Sequence, residues 1–281
     1  MRTTKQEKQT KMLEEQNLYN NETTNIQACH YVETTGKFDY FKYGFWGRFL
    51  GTITKGLIKI LDPIIVKMIY HLKVEGKENL KLVKDTGVIG IANHSQYTDL
   101  FISKRVFYHK KLYITAAIFN NKKGLGGNIL RCIGMLPMSR TQSTVARRKF
   151  DDAVEKVLKD KNAVMFYPEK AMWKNYRKPR PFFKGAFYYA VKNNVPILPM
   201  IVLYRPTSKW NKFWGRKNKL TVKILPPIYQ KQNLSEKENV EYLKQKAQYL
   251  FNEEYENFYG VKNNVIDVAD PDKITIFEAS K

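Results

Sequence analysis

The sequence predicts an α/β fold: a single layered domain with a mixed, largely buried sheet flanked by helices, plus an N-terminal amphipathic helix pair. Two observations carry this. Short apolar runs rich in Ile, Val, Leu and Tyr recur between residues 73 and 230 and alternate with stretches of helical periodicity. These runs are nearly continuous in hydrophobicity, as expected of strands covered on both faces. The chain has 281 residues, 43% of them hydrophobic and 27% charged. That excludes wholesale disorder and leaves room for one large domain or two small ones.

Four segments follow in order. Residues 1–36 are polar and read as a partly helical extension, or a mobile tail. Residues 37–72 hold the amphipathic helices. Trp46, Phe49, Leu50, Ile53, Leu57, Ile60, Leu61 and Ile64 recur at 3-4 spacing, with Arg48, Lys55 and Lys59 opposite. Asp62-Pro63 reads as an N-cap and first helical residue, so a second helix is expected to start there. A basic, aromatic helix followed by a short apolar one suits a membrane interface. Periodicity alone leaves packing on the protein's own core equally open.

Residues 73–230 form the main domain, with strands expected at 87–92, 112–117, 163–167, 197–204 and 220–225. Between them, 144–159 reads as a helix burying Val145, Phe150, Val154, Val157 and Leu158. In the last segment, 231–281, Ser235 and Glu238 form a capping-box pattern, Gly260 is a helix stop, and the final 20 residues read as a surface tail.

Charge is the outlier in composition. Lys and Arg number 49 against 26 Asp and Glu, a net charge of +23. Such a surface seeks polyanions: anionic lipid, an acidic carrier or nucleic acid. No zinc-ligand spacing, RNP-like block or helix-turn-helix supports nucleic acid. Cys29 and Cys132 are the two cysteines, neither in a CxxC, so a reduced compartment is the default. No secretory signal or stretch of 18 uncharged apolar residues is evident.

Of the four histidines, His94 stands out, because it follows the apolar run 87–92. A strand that ends in polar residues before a helix is where open α/β sheets place reactive groups. A neutral imidazole is a natural general base near neutral pH, but it needs a partner to fix its tautomer. Asp99 lies five residues on. On a regular helix the two would be about 140° apart. The pair therefore requires His94 in the turn before the helix and Asp99 in its first turns. His71 and His109 show no convergent partners, and no metal is implied.

Several short blocks extend this reading. Asn93, His94 and Asp99 form Asn-His-x-x-x-x-Asp; Gly134 precedes Arg140 by six residues; Tyr167-Pro168-Glu169 is aromatic-Pro-Glu; and 195–200 is Val-Pro-Ile-Leu-Pro-Met. Phe182-Phe183-Lys184-Gly185-Ala186 lies between the last two. In this order and spacing, residues 73–230 resemble the glycerolipid acyltransferase family, whose familiar member is 1-acylglycerol-3-phosphate acyltransferase.

The resemblance implies an acyl group moving from a thioester donor, acyl-carrier protein or coenzyme A, onto a lysophospholipid, with no cofactor. It implies His94 as general base and Asp99 as its orienting partner. It implies acceptor contacts among Asn93, Gly134, Arg140, Glu169, Lys170 and Lys184, with Arg140 on a phosphate. It places the protein on an anionic membrane surface, at the cytoplasmic face, peripheral or monotopic; the Lys-, Asn- and Ile-rich usage suggests a bacterial source.

The third block departs from the family, which usually continues Pro-Glu-Gly-Thr-Arg or Pro-Glu-Gly-Thr-Ser. Here Lys170, Ala171 and Met172 follow Glu169. Lysophosphatidic acid remains the favoured acceptor because Arg140 is retained; another lysophospholipid or a glycolipid is the alternative. Lys170, Lys174, Arg177, Lys178 or Arg180 are candidates to replace the missing cation. A basic, Trp-rich stretch at 209–217 suits a headgroup layer or an acidic carrier. Two readings of other classes are a basic nucleic-acid-binding protein and a non-catalytic membrane-binding protein.

Overall fold

The computed structural model of the chain describes residues 5–19, 31–96, 98–139, 143–206 and 219–273, with the backbone alone at 5–7 and 62–70. Tyr97, Arg140, the 209–217 stretch, Cys29 and His30 lie outside the described residues.

The elements run α1 (Lys5–Glu15), α2 (Gly44–Tyr70), β1 (Lys73–Glu75), β2 (Val88–Ala92), α3 (Asp99–Val106), β3 (Leu112–Ala117) and α4 (Gly124–Cys132). They continue as β4 (Met135–Met138), α5 (Thr144–Lys159), β5 (Ala163–Phe166), α6 (Gly185–Lys192), β6 (Ile197–Arg205), β7 (Lys219–Ile224) and α7 (Glu236–Tyr259). The strands form one seven-stranded sheet in the order β1-β7-β6-β2-β5-β3-β4. Pairing is parallel except between β6 and β7, so the sheet is mixed, as expected.

Successive side chains feed opposite layers. Ile89 and Ile91 of β2 join the core beneath α5, α6 and α7, while Val88 and Ala92 join the core beneath α3. Every residue of β2 is buried. This explains its unbroken apolar run: β2 sits between β5 and β6, far from either edge.

The five expected strands all form, within a residue or two of their expected ends. α7 starts at the Ser235/Glu238 capping box and stops at Gly260, whose φ is 67°. In α5, Val145 is half exposed and Ala146 takes its place in the core. Short elements without a periodic signature, β1, β4, α4 and α6, were not legible from the sequence.

Two expectations are corrected at the N-terminal side. No helix pair forms at 44–70: α2 runs unbroken through Pro63. A proline inside a helix costs one hydrogen bond and a bend, and flanking turns of a 27-residue helix can carry that. The extension is also no free tail: α1 is docked, with Leu13 buried against Ala171 and Trp173. At the other end, Asn263 and Asp270 are buried and Asp270 pairs with Lys246 at 2.7 Å, so this part of the expected tail is anchored.

α2 has three faces. Gly47 and Gly51 are buried against α4: an added Cβ would lie 2.6 Å from Asn128 and Cys132 respectively. Phe45, Trp46, Phe49, Ile53, Leu57, Ile60 and Leu61 form an exposed apolar face. At about 100° per residue, Arg48, Lys55 and Lys59 fall on the third side. The helix thus docks through glycines and turns its apolar stripe outward. Among the described residues, no helix is long and apolar enough to cross a membrane.

Candidate active site

The site is built at the C-terminal end of β2. His94 lies in the turn after the strand and Asp99 opens α3. The turn brings the two together despite their five-residue spacing, with His94 Nδ1 2.8 Å from Asp99 Oδ2. The same carboxylate oxygen accepts the backbone N–H groups of Ser95 and Gln96 at 3.0 and 3.1 Å. The imidazole stacks on Tyr167, centroids 4.2 Å apart. With Nδ1 engaged, Nε2 is the ring nitrogen left to meet a substrate.

Asp99 is 3% exposed. Burial pushes its carboxyl above the usual range, against the downward pull of His94 and the two backbone N–H groups. A carboxylate made more basic in this way binds the Nδ1 proton more strongly. That favours the tautomer with Nε2 unprotonated and stabilises an imidazolium once formed.

The loop around the pair is tied down on two sides. Asn93 Nδ2 donates to the Val202 carbonyl at 3.0 Å and its Oδ1 accepts the Val202 N–H at 2.8 Å. Its amide thus latches the end of β2 to β6. Tyr204, also on β6, donates to Ser95 Oγ at 2.9 Å, and Gln96 Nε2 donates to the Tyr204 hydroxyl at 2.7 Å. From the other side, Trp173 N–H donates to the His94 carbonyl at 3.0 Å, and Asn175 N–H to the Ser95 carbonyl at 2.9 Å.

Glu169 is 2% exposed and faces inward. Its Oε2 accepts the His94 backbone N–H at 3.1 Å and the Arg180 guanidinium at 2.8 Å. It therefore holds a basic residue inside the protein. Arg180 is consumed there and Lys178 is paired with Glu14 at 2.7 Å, so neither supplies the cation missing from the third block. Lys170 is exposed, with Nζ 5.4 Å from the Phe183 ring centroid. Its φ is 67°, left-handed backbone that suits the glycine usual at this position in the family.

The second block is shaped by Gly134. Its φ is 107°, and a Cβ there would lie 2.5 Å from the Leu112 carbonyl oxygen. Only glycine allows this approach, which sets the start of β4 against β3. Beyond the end of β4 a cavity of about 630 Å3 opens, lined in part by Ser139, Arg147, Lys184, Tyr188 and Lys237. Lys184 also pairs with Glu241 at 2.9 Å. Cys132 is buried beneath Gly51, and Ile197, Leu198 and Met200 of the fourth block are fully buried packing residues. Among the described residues no group of His, Cys, Asp and Glu is placed to hold a metal.

Sequence reasoning singled out His94, Asp99 and Glu169, which the structure brings together. It missed Tyr167 as a stacking partner, Tyr204, Trp173, Asn175 and the inward role of Arg180. These act through partners distant in sequence, as with Tyr204 and Ser95, 109 residues apart.

Residues 71–203 match the family model for Acyltransferase. The chain is 27% identical over 170 residues to human 1-acyl-sn-glycerol-3-phosphate acyltransferase beta, covering 58% of each. It is 29% identical over 198 residues to 1-acyl-sn-glycerol-3-phosphate acyltransferase from Saccharomyces cerevisiae, covering 66% of this chain and 63% of the relative. The alignments thus span about three fifths of these relatives' length. In fold it is similar to the 1-acyl-sn-glycerophosphate (LPA) acyltransferase from Thermotoga maritima, with TM-score 0.53 and 19% identity, over 74% of this chain and 80% of that one.

Proposed function

Starting from a chain whose residues 71–203 belong to the glycerolipid acyltransferase family, we propose that it moves a fatty acyl group from a thioester to the free hydroxyl of a lysophospholipid, most readily lysophosphatidic acid. The observation that carries the reading is the 2.8 Å contact of His94 Nδ1 with a buried Asp99 at the end of a central strand. His94 Nε2 takes the acceptor hydroxyl proton as that oxygen attacks the thioester carbonyl. The tetrahedral oxyanion collapses, the C–S bond breaks, and the thiolate leaves, taking the proton from the imidazolium. Asp99 holds the ring and balances its transient charge.

Arg140 and Lys170 are assigned to the acceptor phosphate. Support comes from the second-block match and from Lys170 keeping a cation where the backbone favours glycine. Lys184, tied to Glu241, contributes to the basic lining beyond β4. The donor is an acyl thioester of acyl-carrier protein or coenzyme A. The protein works at the cytoplasmic face of an anionic membrane, peripheral or monotopic. The exposed apolar face of α2 beside Arg48, Lys55 and Lys59, together with a net charge of +23, supports this. The departure at Lys170-Ala171-Met172 favours a second reading in which another lysophospholipid or a glycolipid is the acceptor.

The test is acyl transfer by the purified chain on liposomes, with both donors, a lysolipid panel and His94→Ala alongside. A histidine-dependent product, lost by at least about 10²-fold in the variant, is expected. Equal turnover by folded His94→Ala would overturn the reading. Product only with other acceptors would replace lysophosphatidic acid.

A further inference from the structure

We infer that Arg180 is a positioning residue for His94, acting through Glu169, and that the N-terminal segment at 8–19 completes this device as a strap. The inference rests on the role of His94 proposed above.

Arg180 is 1% exposed, among the largest fully buried side chains. A buried guanidinium is costly unless its donors and charge are met. Here it donates to Glu169 Oε2, to the Ala171 carbonyl and, at 2.9 Å, to the Tyr19 carbonyl, and it lies 4.6 Å from the Trp173 ring centroid. Glu169 Oε1 accepts the backbone N–H of Arg180 at 3.0 Å. The oxygen that takes the guanidinium is also the one that takes the His94 N–H. Glu169 Oε2 thus takes the His94 N–H and the guanidinium together, and Arg180 is the cation that fixes that carboxylate at this depth.

The strap supplies part of that arrangement. Leu13 packs on Ala171 and Trp173, the Tyr19 ring lies 5.8 Å from that of Trp173, and Glu14 pairs with Lys178. Ala171 belongs to the altered third block and Trp173 follows it. One of the residues that depart from the family's usual block thus helps to seat this chain's own extension. The titratable groups facing the pair are His94 on the catalytic loop, Tyr176 and Lys178 on the loop that carries Arg180, and Glu14 and Tyr19 on the strap. Glu14 and Lys178 offset each other, and burial pushes the Tyr176 hydroxyl up, so it stays neutral.

Removing the guanidinium takes away the side-chain anchor of Glu169 Oε2 and leaves the carboxylate uncompensated, so it can turn away from the His94 N–H. Arg180→Met should lower kcat about 10- to 100-fold with the acceptor KM nearly unchanged, the scale of a slight misplacement of a catalytic group. Arg180→Met combined with Glu169→Gln leaves no uncompensated charge and keeps an acceptor for His94, and should recover most of kcat.

The experiment is the kcat and KM of full-length wild type, Arg180→Met, the double variant, a chain lacking 1–19, and His94→Ala. The strap deletion should lower kcat in the same way with a smaller loss. It carries the test if Arg180→Met does not fold. Wild-type kcat in folded Arg180→Met, or in the deletion if that variant fails to fold, overturns the inference. So does a double variant no better than the single. His94→Ala with unchanged turnover instead overturns the underlying reading of His94.

Discussion

The loop at 93–99 and the helix α2 are built in opposite ways. The loop is closed from within: Asn93, Ser95, Gln96 and Asp99 are buried, and most of their polar groups find partners on β6, on the 169–175 loop and on one another. Helix α2 is left open: it docks through Gly47 and Gly51 and turns seven large apolar side chains to the outside. A polar network shielded from water holds one geometry, which proton transfer requires. An apolar face without a partner in the fold calls for a partner outside it. On the proposed function the two regions divide the work between chemistry and placement, so substitutions in each should damage different measurements.

The sharpest break should come from Asp99→Asn. One oxygen of Asp99 meets all three groups, so the amide oxygen that replaces it can still accept the Ser95, Gln96 and His94 N–H groups but carries no charge to balance an imidazolium. Turnover should fall by about 10²- to 10⁴-fold with acceptor KM little changed. Stability should move the other way. Burial raises the folded pKa of Asp99 above its ordinary 3.8. The native state therefore binds that proton more tightly than the unfolded state, and this group's contribution falls as pH rises from 3.8 through the folded value. Above 3.8 this group's contribution is below its acid maximum, so Asp99→Asn should melt at or above the wild-type temperature. A clear drop in Tm would show the pair to be structural.

The opposite signature is expected on α2. Phe49→Glu with Leu57→Glu should remove most binding to anionic liposomes while turnover of a detergent-dispersed acceptor stays near wild type. Full burial of each side chain is worth roughly 1.5–3 kcal/mol, so two charges suffice. Sedimentation with liposomes checks this, and undiminished binding would locate the membrane contact elsewhere. On the helix's other face, Gly51→Leu drives a side chain into Cys132 and should cost about 1–3 kcal/mol, read as a lower Tm.

The smallest effect should sit between the two regions. Lys170→Gly relieves a left-handed backbone and should stabilise the fold by up to about 1 kcal/mol, while raising KM for a phosphate-bearing acceptor. Higher stability with unchanged KM would remove Lys170 from the acceptor site.

The sequence made local patterns legible. The strand runs, the Ser235/Glu238 box and the His94–Asp99 spacing depend on neighbours along the chain, and the structure shows each of them. It was silent where the partner lies far away. Nothing near Tyr204 announces Ser95, and nothing in a polar N-terminal extension announces that Leu13 seals Trp173. Pro63 misled for a related reason: as a local signal it marks a helix start, but the helix continues through it. The apolar stripe of α2 was visible, yet only the three-dimensional packing shows that glycines, not the stripe, face the protein.

The central claim is that His94, held by Asp99, removes the acceptor proton in an acyl transfer at a membrane surface. The most direct measurement is single-turnover acyl transfer to lysophosphatidic acid on anionic liposomes, comparing wild type with His94→Ala at matched folding and membrane binding. The expected result is product formation by wild type and a loss of at least about 10²-fold in the variant, with lipid binding unchanged. Equal rates in the two proteins would contradict it.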